Sequence, residues 1–257
     1  MVRLLLSKEE RKIVDSFTRK KMKRDEIIRE RYKEIATIYD KSRFESIQGM
    51  TIDKKQKDAL FRSLKGLQKD SKILEAGCGT GRFLEFLENK GYKNLHGIDQ
   101  AEEMLKIANK KSHAMLERGD IYHLPFKKNS FDAVYSVRVL FHLEKPEKAI
   151  NEMLRVGKIV IFDIVNKDSL SYIASNLYKK MCGKKPSGLS TKSFKIGDIE
   201  NGFKNKFEII PVHYAPINVS LPQIYFRHFD FLESILGKIH PKKFAPQVFV
   251  KIIKIED

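Results

Sequence analysis

The segment Ile73-Leu74-Glu75-Ala76-Gly77-Cys78-Gly79-Thr80-Gly81 narrows the possible folds more than any other part of the chain. A short apolar run, the pattern of a buried strand, ends in three glycines at alternate positions and gives way to a helical pattern from Arg82. Glycine has no Cβ, so it enters the left-handed backbone region at little steric cost and lets a ligand lie directly against the main chain. Strand, tight turn and helix in that order open a βαβ unit, the crossover that parallel strands require. The glycines alone also fit an ordinary strand-to-helix turn. A nicotinamide dinucleotide fingerprint requires Gly-x-Gly-x-x-Gly; counted from Gly77 the sixth position is Arg82, so that reading fails.

The same rhythm continues downstream. Strands are expected at Lys72 to Glu75, Asn94 to Asp99, Ala114 to Arg118, Phe131 to Ser136 and Lys158 to Asp163, with helices at Arg82 to Lys90, Glu102 to Lys110 and Lys145 to Val156 between them. Two further strands, Phe207 to Tyr214 and Ala245 to Glu256, complete an α/β fold: a Rossmann-like, doubly wound, seven-stranded, mostly parallel sheet with a helical N-terminal extension. Two amphipathic helices are expected between Ser7 and Arg43, the first opened by a Ser7/Glu10 capping box, and another helix near Lys55 to Leu67. Residues 1–50 read as a basic helical cap and 51–257 as the main domain, with an insertion at 168–200 that interrupts the rhythm and could serve as a lid.

Composition limits the classes of function. Hydrophobic residues make up 42% and charged residues 32%, the balance of a folded globular protein. Apolar runs fall short of the roughly 18–20 residues of a membrane helix, so a cytoplasmic location is expected. The two cysteines, Cys78 and Cys182, form no CxxC pair, so neither a disulfide framework nor a metal site is expected. The formal net charge of +17 would attract nucleic acid, an anionic membrane surface or acidic small molecules, but it also fits a lysine-rich solvated face.

Carboxylates recur where parallel strands end. Asp99 closes the strand after the glycine loop, 18 residues beyond Gly81, where an acidic side chain can accept hydrogen bonds from both ribose hydroxyls or cap the following helix. Gly119-Asp120-Ile121 follows the next strand, and Ser130-Phe131-Asp132-Ala133-Val134-Tyr135-Ser136 forms the one after it. Beyond that lies Val137-Arg138-Val139-Leu140-Phe141-His142, with His142 a candidate general base and Arg138 a candidate anchor for an anionic acceptor. A histidine packed at a helix start and an arginine reaching solvent fit the same residues.

Glu75, Gly77, Gly79 and Gly81 resemble the first motif of the class I S-adenosylmethionine-dependent methyltransferases, an acidic residue, one spacer and Gly-x-Gly-x-Gly. The resemblance extends from about Tyr32 to Asp163 and includes the Tyr39-Asp40 element that precedes many such domains. It implies S-adenosylmethionine as cofactor, with Glu75 and the loop Gly77, Cys78, Gly79 and Gly81 at its amino-acid end. By the same resemblance Asp99 lies at the ribose and Asp120 and Ile121 at the adenine, while Gln100, Met104, Gly119, Ser136, Val137 and Tyr39 complete the cofactor site. Where relatives have Lys-Pro-Gly-Gly before the fifth strand, this chain has Arg155-Val156-Gly157-Lys158, which leaves the subfamily open.

The acceptor is not encoded in these motifs. A small-molecule or lipid-like acceptor, methylated on O, N or C, is expected in a pocket lined by aromatics such as Tyr172, Tyr178, Phe194, Tyr225, Phe226 and Phe229. His142 or Asp163 would take the proton that an oxygen or nitrogen acceptor must lose. The alternatives are tRNA or another RNA held by the basic surface, and a non-catalytic cofactor-binding partner subunit.

Overall fold

The computed structural model describes residues 23–169, 172, 173, 176, 177, 181, 192–202, 206–212, 245 and 247–254. The Ser7/Glu10 cap, the loop from Cys182 to Ser190, and Tyr178, Tyr225, Phe226 and Phe229 lie outside these residues. In chain order the elements are α1 (Arg24–Ile35), a 3₁₀ turn (Ala36–Ile38), α2 (Tyr39–Phe44), α3 (Ile47–Ser63), β1 (Lys72–Ala76), α4 (Arg82–Asn89), β2 (Asn94–Asp99), α5 (Glu102–Ala108) and β3 (Met115–Arg118). There follow β4 (Phe131–Ser136), a second 3₁₀ turn (Leu140–His142), α6 (Pro146–Val156), β5 (Gly157–Val165), α7 (Ile196–Gly202), β6 (Lys206–Val212) and β7 (Gln247–Ile253).

The strands form one seven-stranded sheet in the order β3-β2-β1-β4-β5-β7-β6. All neighbours up to β5 are parallel, and β7 runs antiparallel to both β5 and β6. The strand order therefore reverses between β1 and β4, and the crevice beyond the carboxyl ends of these two strands is where open α/β sheets bind ligands. Glu75 near the end of β1, Asp99 at the end of β2 and Ser136 at the end of β4 all stand at this edge.

Both faces of the sheet are covered, which is why its strands read as nearly continuous apolar runs. Neighbours along β1 alternate faces: Leu74 joins a core with Val134, Phe162 and Met153 of α6, while Ile73 joins one with Leu60 of α3 and Leu84 of α4. Burying each such large apolar side chain contributes roughly 1.5–3 kcal/mol, which holds the helices flat against the sheet and leaves its carboxyl edge open.

The expected strands and helices that fall on the described residues are present, with shifted ends, while the helix opened by Ser7 lies outside them. The helix placed near Lys55 to Leu67 starts earlier, at Ile47, because the Ser46 hydroxyl caps it by accepting a hydrogen bond from the Gly49 amide at 3.0 Å. It therefore runs through residue 50 without a break. The Arg155-Val156-Gly157-Lys158 departure is also resolved: α6 passes directly into β5 at Gly157, where a Cβ would come within 2.6 Å of Val134 Cγ2. Arg155 secures the junction through Glu152 and the carbonyls of Leu124 and Phe126.

Candidate active site

At the crevice between β1 and β4 the glycine loop folds back onto β2. The amides of Gly77 and Cys78 both donate to the Ile98 carbonyl, at 2.7 and 3.0 Å, and the Gly79 amide donates to Asp99 Oδ2 at 2.8 Å. Gly77 has φ +81°, and a Cβ there would stand 2.6 Å from Val139 Cγ2. Gly81, at φ +74°, begins α4 and packs against α5, where a Cβ would lie 2.9 Å from that of Ala108. The first of these glycines lets the loop pack against Val139; the other lets two helices meet.

A cavity, partly open to solvent, extends from this loop beneath α1. Of the residues expected at the cofactor, Tyr39, Glu75, Gly77, Cys78, Gly79, Asp99, Gln100, Met104, Gly119, Ile121 and Val137 line it, as does His142. Gly81, Asp120 and Ser136 do not. Gly81 is occupied with helix packing, the Ser136 hydroxyl is buried and donates to the Ala76 carbonyl, and Asp120 stands at the rim, where its Oδ1 accepts from Gln100 Nε2 at 3.1 Å.

Two carboxylates are sunk in the inner wall. Glu75 is 1% exposed, and its Oε2 accepts from the Tyr135 hydroxyl at 3.1 Å. Burial holds its carboxyl well above the ordinary range; the Tyr135 bond opposes that shift and nearby Asp99 adds to it. Burial likewise raises Asp99, although the amides of Ala101 and Gly79 stabilise its charge. Buried acids in this condition fit a site for a positively charged, hydroxyl-bearing ligand, which would supply the missing counter-charge.

The outer wall has the opposite sign. Asp25, Ile28, Arg29 and Tyr32 of α1 line it, opposite Arg138 and His142. The Tyr32 hydroxyl and His142 Nε2 share a hydrogen bond of 3.1 Å, while His142 Nδ1 is buried with no partner among the described residues. Arg24 ties the two elements together, its Nε donating to the His142 carbonyl at 2.7 Å. Burial, then Arg31, Arg138, Arg43 and Arg24, push the imidazole well below its usual pKa. Burial pushes Tyr32 up to about 12.

Asp163 lies outside the cavity lining, which removes it as a base facing the acceptor. It is fully buried, with Oδ1 accepting the Arg138 amide at 2.6 Å and Oδ2 accepting from the Gln247 side chain. That grip holds Arg138 in the left-handed region, at φ +65°. Of the expected aromatic lining, only Tyr172 and Phe194 are among the described residues. The Tyr172 hydroxyl accepts from Ser193 and Phe194 packs on the core, and neither faces the cavity. Among the described residues, aromatic cover comes from Tyr32 and Tyr39, whose rings meet edge to face at 5.7 Å.

Sequence reasoning missed Arg82, Thr80 and most of α1. Arg82 is sandwiched between Phe44 and Phe83 and paired with Asp53. Thr80 donates to Asp40 Oδ1 at 2.8 Å, so the Tyr39-Asp40 element is tied to the glycine loop by side chains 40 positions apart. The amphipathic pattern of α1 signals a helix but does not show where it docks.

The fold and crevice define a doubly wound nucleotide-type binding protein with acidic ligands at the ends of adjacent parallel strands. The methyltransferase-domain family model matches residues 74–159. An uncharacterized protein from Methanocaldococcus jannaschii is 33% identical over 184 residues, covering 68% of this chain and 76% of that one. A ubiquinone/menaquinone biosynthesis C-methyltransferase from Campylobacter jejuni is 29% identical over 167 residues, 60% of this chain and 70% of its own. Among solved structures, a magnesium protoporphyrin IX methyltransferase from Synechocystis with bound S-adenosylhomocysteine superposes with a TM-score of 0.62 at 18% identity, over 90% of this chain and all of that one. The chain belongs to the class I S-adenosylmethionine-dependent methyltransferases.

Proposed function

We propose that the chain binds S-adenosylmethionine at the inner end of the cavity and methylates a small-molecule or lipid-like acceptor admitted beneath α1. The observation that carries this reading is the pairing of two buried carboxylates, Glu75 and Asp99, with the bare glycine loop in one cavity. Glu75 would hold the cofactor's ammonium and Asp99 its ribose, with Ile98, Met104 and Ile121 offering an apolar bed for the adenine. When bound, the cofactor supplies an electrophilic methyl group on a sulfonium. The protein aligns the acceptor with it and excludes water, and such positioning accounts for much of the rate in transfers of this kind.

α1 forms the observed cover, and no described residue of 168–200 lines the cavity. That segment nevertheless anchors behind the site, with the Lys192 amide donating to the Phe141 carbonyl at 2.9 Å, so we place it among the parts that sort acceptors. Named relatives include both an O-methyltransferase acting on a malonyl group, 36% identical over 125 residues, and the C-methyltransferase from Campylobacter jejuni, and together they leave the acceptor atom open. RNA rests on the net charge of +17 alone. Affinity for bulk tRNA that is weak and changes little with salt would remove it.

Calorimetric titration with S-adenosylmethionine tests the site, with Asp99→Ala as the variant. Binding should be saturable and weaken by roughly 1–3 kcal/mol on substitution, the cost of unmade hydrogen bonds to the ribose. Equal affinity in both proteins would put the ribose elsewhere.

A further inference from the structure

We infer that Gln56, Gln247 and Asp163 are positioning residues of the proposed transfer reaction: in a buried relay of hydrogen bonds they fix Arg82 and Arg138, one on each side of the crevice, in the cavity wall. The inference rests on the methyltransferase reading and adds residues that no motif marks.

The relay can be followed atom by atom. Arg82, which follows Gly81 of the glycine loop, donates from Nη2 to Gln56 Oε1 at 3.4 Å. Gln56 Nε2 donates to Gln247 Oε1 at 3.0 Å, and Gln247 Nε2 donates to Asp163 Oδ2. Asp163 Oδ1 accepts the Arg138 amide at 2.6 Å. The five residues belong to α4, α3, β7, β5 and the turn after β4, so the relay joins parts of the chain that are far apart in sequence. Gln56, Gln247 and Asp163 are at most 1% exposed, and of the five only Arg82 and Arg138 line the cavity. Arg82 is also paired with Asp53, and the Arg138 guanidinium lies 5.3 Å from the centre of the Phe141 ring.

Elementary chemistry fixes the direction of every link. A guanidinium and a backbone N–H can only donate, and a carboxylate can only accept. Both glutamine amides must therefore turn their oxygens towards Arg82 and their nitrogens towards Asp163. Reversing either one sets donor against donor or acceptor against acceptor.

Two unfavourable features mark the relay as more than packing. Polar side chains buried at this depth are tolerated only when each group is paired, and a partly satisfied network is worse than an apolar core. Arg138 holds φ +65°, a conformation that persists in a residue with a Cβ only where its surroundings over-determine it, and such positions gather at functional sites. Together they set the spacing between the start of α4, beside the glycine loop, and the turn after β4. Methyl donor and acceptor have to align between these two walls, and a misplacement of about 1 Å can lower such a rate by about 100-fold.

The direction of the relay makes its test specific. Asp163→Asn puts a nitrogen where only an oxygen fits; if the asparagine oxygen stays on the Arg138 amide, both glutamines must turn over and the mismatch moves to Arg82. Gln56→Glu alone sets a carboxylate against Gln247 Oε1. Combined, the two substitutions give every link a donor and an acceptor again. In urea unfolding each single variant should lower the midpoint, and the double variant should recover about half or more of the summed loss, a coupling that passes through Gln247. A double variant that folds where a single one does not supports the relay, and one that fails to fold overturns it.

Function is read separately, by calorimetry of the full chain with S-adenosylhomocysteine. Asp163→Asn should weaken binding by about tenfold, the effect of roughly one lost hydrogen bond, and the double variant should restore it. In the wild type the same ligand should shift the side-chain amide NMR signals of Gln56 and Gln247, although neither lines the cavity. A wild-type protein that does not bind S-adenosylhomocysteine refutes the methyltransferase reading, whereas the urea cycle tests the relay alone. Additive losses in that cycle, glutamine signals unmoved by the ligand, or equal ligand affinity in all folded variants overturns the proposal.

Discussion

The two ends of the cavity were assembled by different means. The inner end is made of residues from Glu75 to Ile121 on consecutive parallel strands, is acidic, and is braced by hydrogen bonds between the loop and β2. The outer end joins α1 to the turn after β4 through contacts such as Tyr32 to His142, 110 residues apart, and is basic. The inner end thus follows from the fold, from a turn and strand ends set by the parallel sheet. On the proposed function, the outer end is where acceptor choice resides.

The largest expected effect tests whether the inner end is as tightly fitted as it looks. Gly77→Ala places a methyl group 2.6 Å from Val139 Cγ2 at a φ of +81°. Strain and overpacking together should lower stability by about 3 kcal/mol, read from urea unfolding. Gly79→Ala is the internal control: its φ is +52° but nothing lies within 4 Å, so it should lose only about 1 kcal/mol. Equal losses would show that the loop is not shaped by close contact.

Glu75→Gln separates ligand binding from stability. Loss of the carboxylate should weaken S-adenosylmethionine by about 1.5–3 kcal/mol in calorimetry. The Tyr135 hydroxyl can still donate to the amide oxygen, so the fold should survive. Without ligand the sign reverses. The folded-state pKa of Glu75 is raised above its ordinary 4.5, so the stability it contributes is fully present below that value and is lost as pH climbs through the folded pKa. Ligand-free Glu75→Gln should therefore gain on the wild type as pH rises from about 5 towards neutrality. A parallel pH dependence of the two proteins would mean that Glu75 is not held protonated.

The smallest effect sharpens the outer end. Tyr32→Phe removes one hydrogen bond to His142 and should raise the acceptor's KM by about fivefold, near 1 kcal/mol, with cofactor affinity unchanged. A change confined to cofactor affinity would instead make α1 part of the inner site.

The sequence by itself determined the fold class and the inner end, because the information is local. Alternate glycines after an apolar strand, and carboxylates at successive strand ends, specify their geometry through backbone sterics and strand order. It also determined the doubly covered sheet, since β1, β2, β4 and β5 carry too few polar residues to face water on either side. Only the tertiary structure decided that α1 docks over the crevice, that Asp40 clamps Thr80, that Asp163 grips Arg138 from behind, and that burial and then four arginines lower the pKa of His142. The first three are contacts between residues 25 to 119 positions apart, and nothing in a periodic pattern says which amphipathic face will meet which strand end. The charge state of a buried group depends on the sum of its neighbours, and those neighbours exist only once the chain has folded.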